Sequence, residues 1–388
     1  MIGFLASLLV LVGLTSPAHG RDRVYWANDG SPNRISYANL DGSGGGNLNT
    51  RGATSGQPRG VAINVAAGKV YWTNPDNNRI SFASLSGRGG GGDLNTTGAT
   101  VNRPNAAAVY PAAGRIYWAN EAGDRISFAN LNNSGGGGDL ITTGATLDVP
   151  IAPVVDPGSG RIYWANANPI NVISFANLDG SGGGGNLNTA GATVNNPHGL
   201  AIDPVAGRIY WANASGNPQK ISYAELDGSG GGDLNTTGAT VNVPAGVAID
   251  PSARRIYWAN EAGDKISFAN LDGGGGGDLR TRGATLAGSR SPVLLKAPTG
   301  VGAPRIKGRS RRGSVLKCST GSWAPDLLGS WLYRAPQKFA YSWTRNRKRI
   351  RRARGKTYKA SARGRYRCKV TASNPAGKAS QTSAAHAV

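Results

Sequence analysis

Two cysteines, one mid-chain histidine and a scatter of loop carboxylates are the groups in this 388-residue chain whose chemistry could reach beyond packing. Cys318 and Cys368 are the only cysteines, and an even pair in an exported chain reads as one disulfide. Structural zinc wants four ligands, and after residue 20 only His198 and His386 could join the cysteines. No metal site and no cofactor is therefore expected. A catalytic histidine needs an orienting carboxylate and an activated partner within reach. No Ser-His-Asp or Cys-His pattern can be assembled around His198, so it is expected to be an exposed loop residue. No catalytic residue is assigned.

The elements that would position such groups come from internal repeats. Tyr25-Trp26, Tyr71-Trp72, Tyr117-Trp118, Tyr163-Trp164, Tyr210-Trp211 and Tyr257-Trp258 recur at spacings of 46, 46, 46, 47 and 47 residues. That period suits four short strands per unit. In the unit from Pro244 to Thr285, Gly246-Val247-Ala248-Ile249 is an apolar innermost strand and Asp250-Pro251-Ser252-Ala253 a turn. Arg255–Asn260 is the second strand and Lys265–Leu271 the third, with Ile266 and Phe268 on one face and Ser267 and Ala269 on the other. A glycine-rich connection leads to Asp278–Thr281, a polar outer strand that can safely be an edge. The first unit starts on its second strand, and Ser291–Leu295 could return to supply the missing one and close the ring.

These motifs resemble the YWTD repeats of the low-density-lipoprotein-receptor family. The resemblance covers roughly residues 21–296 and implies an all-β, six-bladed β-propeller acting as a binding scaffold. The fourth motif position departs from that family, being Asn28, Asn74, Asn120, Asn166, Asn213 and Asn260 where the family has Asp.

Positions that vary between near-identical units are the better site candidates. The residue after the pre-strand proline is Arg59, Asn105, Ile151, His198 or Ala245, expected at the mouth of a central channel. Loops after the aromatic motif add Asp29, Asp76, Glu121, Asp124, Glu261 and Asp264 to the same face. The ligand-binding candidates are Arg59, Asn105, His198, Glu121, Asp124, Glu261 and Asp264. The glycine-rich loops carry neither the EF-hand ligand series nor a P-loop lysine and read as hairpin connections.

Charge is divided unevenly. Residues 293–388 hold 23 of the 43 Lys and Arg but one of the 21 acids, Asp326, so the whole +22 lies there. Eight cations fall within twelve residues: Arg345, Arg347, Lys348, Arg349, Arg351, Arg352, Arg354 and Lys356. Phosphate or carboxylate polymers would be drawn to them with salt-sensitive affinity. No aromatic residues interleave the run, which argues against specific nucleic-acid recognition. Cys318, Trp343, Tyr366 and Cys368 are spaced as in an immunoglobulin-like sandwich, Tyr366 at the tyrosine-corner position, and the last 75–90 residues resemble bacterial Ig-like modules of surface proteins.

The expected organisation is a signal peptide over 1–20, a propeller over 21–296, a basic linker over 297–312 and an Ig-like domain over 313–388. Phe4–Leu14 is too short an apolar run to span a bilayer, and Ala18 and Gly20 suit a signal-peptidase site. No transmembrane segment is expected. The reading is a secreted or cell-surface, non-enzymatic binding protein with a protein or glycan ligand, held to anionic cell-wall or envelope polymers by its basic module. The alternative is a metal-dependent lyase or lactonase acting at the channel mouth, as in streptogramin-lyase or gluconolactonase-type propellers.

Overall fold

The computed structural model describes residues 21–388, and the expected signal peptide lies outside the described residues. From Arg23 to Leu295 the chain forms six antiparallel sheets, each with four strands running in order from the inside outwards. Five are continuous in sequence. The other is composite: Arg23–Asn28, Arg34–Asn39 and Gly45–Asn47 receive Ser289–Leu295 as their innermost strand, with Val24 opposite Leu294. The returning strand expected from the sequence is thus found two residues longer. The six innermost strands pack side by side in a closed ring, the last against the first.

Both faces of every sheet are covered, and the residue pattern explains why. Each motif Trp is fully buried, as is the Ile two residues into the third strand. The motif Tyr packs on Tyr37, Phe82, Phe128, Phe175, Tyr223 or Phe268, with centroids 5.5–6.0 Å apart. An Arg or Lys caps that second ring from 3.9–4.8 Å, a cation–π contact repeated six times.

A polar relay ties neighbouring sheets together, and it accounts for asparagine in the motif. In the third sheet Asn120 is fully buried. Its Nδ2 donates to Ser127 Oγ at 2.8 Å, and Ser127 Oγ donates to Asp139 Oδ1 at 2.6 Å. Asp139 accepts from the backbone and hydroxyl of Thr100 in the connection from the preceding sheet, while Trp118 Nε1 donates to Thr100 O at 3.0 Å. Since Ser127 spends its one proton on Asp139, its other partner must be a donor. An amide supplies that donor and a carboxylate does not.

The outer strand corrects the sequence expectation. It is Gly276–Asp278 rather than Asp278–Thr281, with Ser267 opposite Asp278. The glycines belong to the sheet because there is no room for side chains: a Cβ on Gly277 would sit 3.2 Å from Phe268 Cζ, and one on Gly276 2.9 Å from Ala239 Cβ.

The C-terminal domain is joined by the expected disulfide, Cys318–Cys368. Its main sheet pairs Lys338–Arg345, Arg365–Asn374 and Gly377–Thr382, with Trp343 opposite Cys368 and fully buried. Tyr366 Oη donates to Ala362 O at 2.6 Å. The expected linker is partly strand, since Gly300–Gly302 and Ile306–Lys307 pair with Ser322–Trp323 and Val315–Cys318.

One segment of this domain leaves it and enters the ring. Leu332 and Tyr333 run parallel to Leu294 and Leu295. Gly329 O and Ser330 O accept from Ile202 N (2.7 Å) and Ile249 N (2.9 Å). Ser330 Oγ donates to Ile202 O, and Trp331 Nε1 to Leu200 O. Trp331 holds φ at 56°, a conformation costing a bulky residue on the order of 1 kcal/mol, which burial of its indole offsets.

Candidate functional site

Each innermost strand carries its variable residue at its start, first in Arg59–Asn64 and second in the other five, and then bulges. The bulge residues are Gly60, Ala106, Ala152, Gly199, Gly246 and Ser291, all small and all at positive φ. They meet at the neck of the channel. A Cβ on Gly60 would lie 2.0 Å from Ala106 Cα, and one on Gly199 2.0 Å from Gly246 Cα. Between this neck and Trp331 a cavity of about 10 Å³ remains, room for about one water. The ring is therefore stoppered by its own chain, and only the mouth above the neck is open to a ligand.

At the mouth the charges are spent on one another. Arg59 Nη1 donates to Glu121 Oε2 at 2.9 Å, and its Nε lies 3.7 Å from Asp29. Arg290 bridges Asp29 and Glu261. Arg103 reaches Glu121 at 3.6 Å, and Asn105 Nδ2 donates to it at 3.4 Å. Burial pushes the Glu261 carboxyl above its ordinary range, and Asp29 adds to this against the pull of Arg290 and Arg59. Three paired acids thus alternate with arginines along one arc. Ile151, His198 and Ala245 occupy the opposite arc, which carries no charge.

His198 is not on a loop. It is the second residue of the inner strand Pro197–Asp203 and is half-buried. Burial, with Arg290 and Arg59 nearby, pushes its imidazole down to about 3. That direction favours the neutral imidazole, which can donate or accept a hydrogen bond.

Asp124 and Asp264 turn away from the mouth. Asp124 Oδ1 accepts from Val149 N at 3.0 Å and Asp264 Oδ1 from Gly288 N at 3.2 Å, each clasping the next sheet. Asn78, Asn171 and Gln219 make the same bond to Arg103, Asn196 and Val243. Every residue so clasped has positive φ, so the side chain pins a strained turn. Asp76 is exposed and joins no ion pair.

Arg290 is the residue sequence reasoning missed. Ser289 stands where the other units have proline, and Arg290 follows Ala245 by 45 residues rather than 46 or 47, which together hide the correspondence. The stopper had no repeat to betray it.

The eight cations of the 345–356 run are brought together on the C-terminal domain. Arg345 and Lys348 pair across a tight turn at Asn346-Arg347, and Thr344 pairs with Arg349. Arg351, Arg352, Arg354 and Lys356 follow, exposed like the rest. Every ion pair among the described residues lies at or before Lys296. Asp326, the one acid of the domain, is half-buried and takes the Arg334 and Ala335 amides at 2.6 and 2.7 Å.

No protein-family model matches the sequence, and no curated protein matches it. Among solved structures, a chain of a nidogen/laminin complex superimposes with a TM-score of 0.57 at 18% identity, covering 70% of this chain and 98% of that one. A catalytically inactive virginiamycin B lyase from Staphylococcus aureus gives a TM-score of 0.45 at 12% identity, covering 67% of this chain and 85% of that one. A hydrazine synthase of Kuenenia stuttgartiensis gives 0.47 at 13% identity, covering 62% and 71%. With the ring of four-stranded sheets formed between Arg23 and Leu295, the first of these supports a β-propeller fold. At such identity the likeness speaks for the fold alone. Among the described residues no helix is long and apolar enough to cross a membrane. The Cys318–Cys368 disulfide fits an extracellular protein.

Proposed function

We propose that the chain is a secreted or cell-surface, non-enzymatic binding protein: a six-bladed YWTD-like propeller with an Ig-like module that attaches to anionic envelope polymers. The observation that carries this is the division of charge. The propeller's acids and bases balance and those at the mouth are paired, while the cations of the C-terminal domain join no ion pair among the described residues. Six sheets in a closed ring support the blade count. The disulfide, the buried Trp343 and the Tyr366–Ala362 hydrogen bond support the Ig-like assignment. The mouth, half charged and half neutral, is the face for a protein or glycan ligand, and the nidogen propeller's presence in a laminin complex agrees with that use. The enzyme alternative would need a carboxylate free to act, whereas Glu121 and Glu261 are both engaged by arginine.

Truncation after Pro298 would remove the stopper along with the charge, so neutralisation is the cleaner test. The full chain should bind an anionic cell-wall polymer at low salt and lose it as salt rises. Replacing the eight cations of the 345–356 run by Gln should weaken binding at least tenfold. Equal binding by that variant, at unchanged Tm, would sink the attachment reading.

A further inference from the structure

The strand alternation of the C-terminal domain places a second set of cations outside the 345–356 run. Along Arg365–Asn374, Tyr366, Cys368, Val370 and Ala372 are buried, so Arg367 and Lys369 must stand on the open face. Ser342 and Thr344 lie opposite them on one neighbouring strand, and Thr382 opposite Lys369 on the other. Arg349 and Arg354 reach in from the hairpin, so that four cations and a floor of hydroxyls line a shallow depression of about 590 Å³. Arg367 Nη1 donates to Ser383 O at 2.9 Å, which holds its guanidinium in place. No acid lines the depression, and the domain's single one, Asp326, accepts from the Arg334 and Ala335 amides instead.

We propose that this sheet face is a binding site for an acidic polysaccharide, with its anionic groups on Arg349, Arg354, Arg367 and Lys369 and its hydroxyls on the threonines. The proposal rests on the attachment reading above and gives it a place and a ligand chemistry. Arg367 and Lys369 are two residues apart on one strand, about 7 Å, so a linear polymer crossing the strands meets a cation on either side of its path. Guanidinium groups grip carboxylate or phosphate with two parallel hydrogen bonds, and hydroxyls between them complement sugar. Nucleic acid fits less well. Single strands bind by stacking bases on exposed rings, whereas the one ring among the residues lining the depression, Tyr341, is half-buried and packs against the core.

The experiment compares full-length protein with Arg367→Gln/Lys369→Gln and with Arg309→Gln/Arg311→Gln, an equal loss of charge at exposed residues away from the groove. Lys369→Gln alone serves if the sheet-face pair fails to fold. Probes are polygalacturonate, poly(glycerol phosphate) and an oligo(dT), each at low and moderate salt. The sheet-face pair should lose about tenfold in affinity for the acidic polymer, and Lys369→Gln alone about threefold, while the distant pair loses less than twofold. The better of the two polymers tells carboxylate from phosphate as the preferred anion. Equal loss from both pairs, or tighter binding of oligo(dT) than of either polymer, would overturn the site. Binding that survives the sheet-face changes but not neutralisation of the 345–356 run defeats this site alone. Failure of the unaltered protein to bind any polyanion defeats the attachment reading itself.

Discussion

Asn120→Asp converts one motif to the form seen in the YWTD family, and the relay around it shows what that change costs. The side chain is fully buried. Its Oδ1 accepts from Asn102 N at 2.8 Å and from Trp118 Nε1 at 3.2 Å. Its Nδ2 donates to Ser127 Oγ and, at 3.3 Å, to Arg125 O. A protonated aspartate keeps the acceptor and can donate once, so it loses one hydrogen bond, about 1 kcal/mol. An ionised one faces the Arg125 carbonyl, a serine lone pair and, across that serine, Asp139. Asp139 itself is buried in part, yet the hydrogen bonds from Ser127 and Thr100 hold its carboxyl below the ordinary value. The new carboxyl should therefore be pushed up by roughly 2–3 units, which adds about 3–4 kcal/mol at neutral pH. The sign follows from proton binding. Between about pH 4 and the raised value the folded state holds a proton that the unfolded chain has released, so the penalty grows as pH rises through that window. At about 2–4 °C per kcal/mol, the Tm deficit against the unaltered protein should be a few degrees at pH 4 and roughly 8–20 °C at pH 7. Thermal unfolding followed by far-UV circular dichroism at the two pH values measures both. A deficit that is equal at the two, or larger at pH 4, would refute the relay argument.

Three further outcomes follow from the same geometry. Asp124→Asn should be nearly neutral, since Asn78 and Asn171 already fill that place, whereas Asp124→Ala should cost about 1–2 kcal/mol; urea unfolding separates them. Trp331→Ala should destabilise the propeller by about 3–5 kcal/mol by emptying the stopper, and a chain ending at Pro298 should show a similar fall in propeller Tm. His198 should show no protonation between pH 8 and 5 by NMR. Because its folded pKa is depressed to about 3 by burial and by Arg290 and Arg59, the unfolded chain takes up the proton first, and the stability tied to it is lost as pH falls below about 6.5.

The scaffold was legible because it is written six times. The aromatic spacing, the apolar inner strands and the returning Ser291–Leu295 all follow from period and alternation, which backbone geometry dictates locally. What escaped depends on neighbours distant in sequence. Nothing near Gly276 says that Phe268 and Ala239 crowd it, so the glycines read as a loop when they are strand. Asp124 and Glu121 are three residues apart in one loop, yet one clasps the next sheet and the other faces the mouth, a difference set by where Val149 and Arg59 lie. Arg290 was hidden by a Pro-to-Ser exchange at 289 and by a spacing of 45 residues where the repeat is 46 or 47. The stopper occurs once and pairs with strands contributed by distant repeats, so neither period nor composition could announce it.

The stopper also changes how the two halves of the chain relate. A module joined by a basic linker would swing freely, and attachment through it would say nothing about the propeller's orientation. Here Gly329–Tyr333 is hydrogen-bonded to three inner strands at the end opposite the mouth, and Lys296 forms a 2.6 Å bond to the buried Asp250 at the same junction. Anchored in this way, the cation-rich domain sits at the base and the mouth faces the other way. If the base lies against an anionic surface, the arc formed by Glu261, Arg290, Asp29, Arg59 and Glu121 is turned outward, where a partner would meet it. The variable residues at the mouth, Arg59, Asn105, Ile151, His198, Ala245 and Arg290, would then act as a set on the face directed away from that surface.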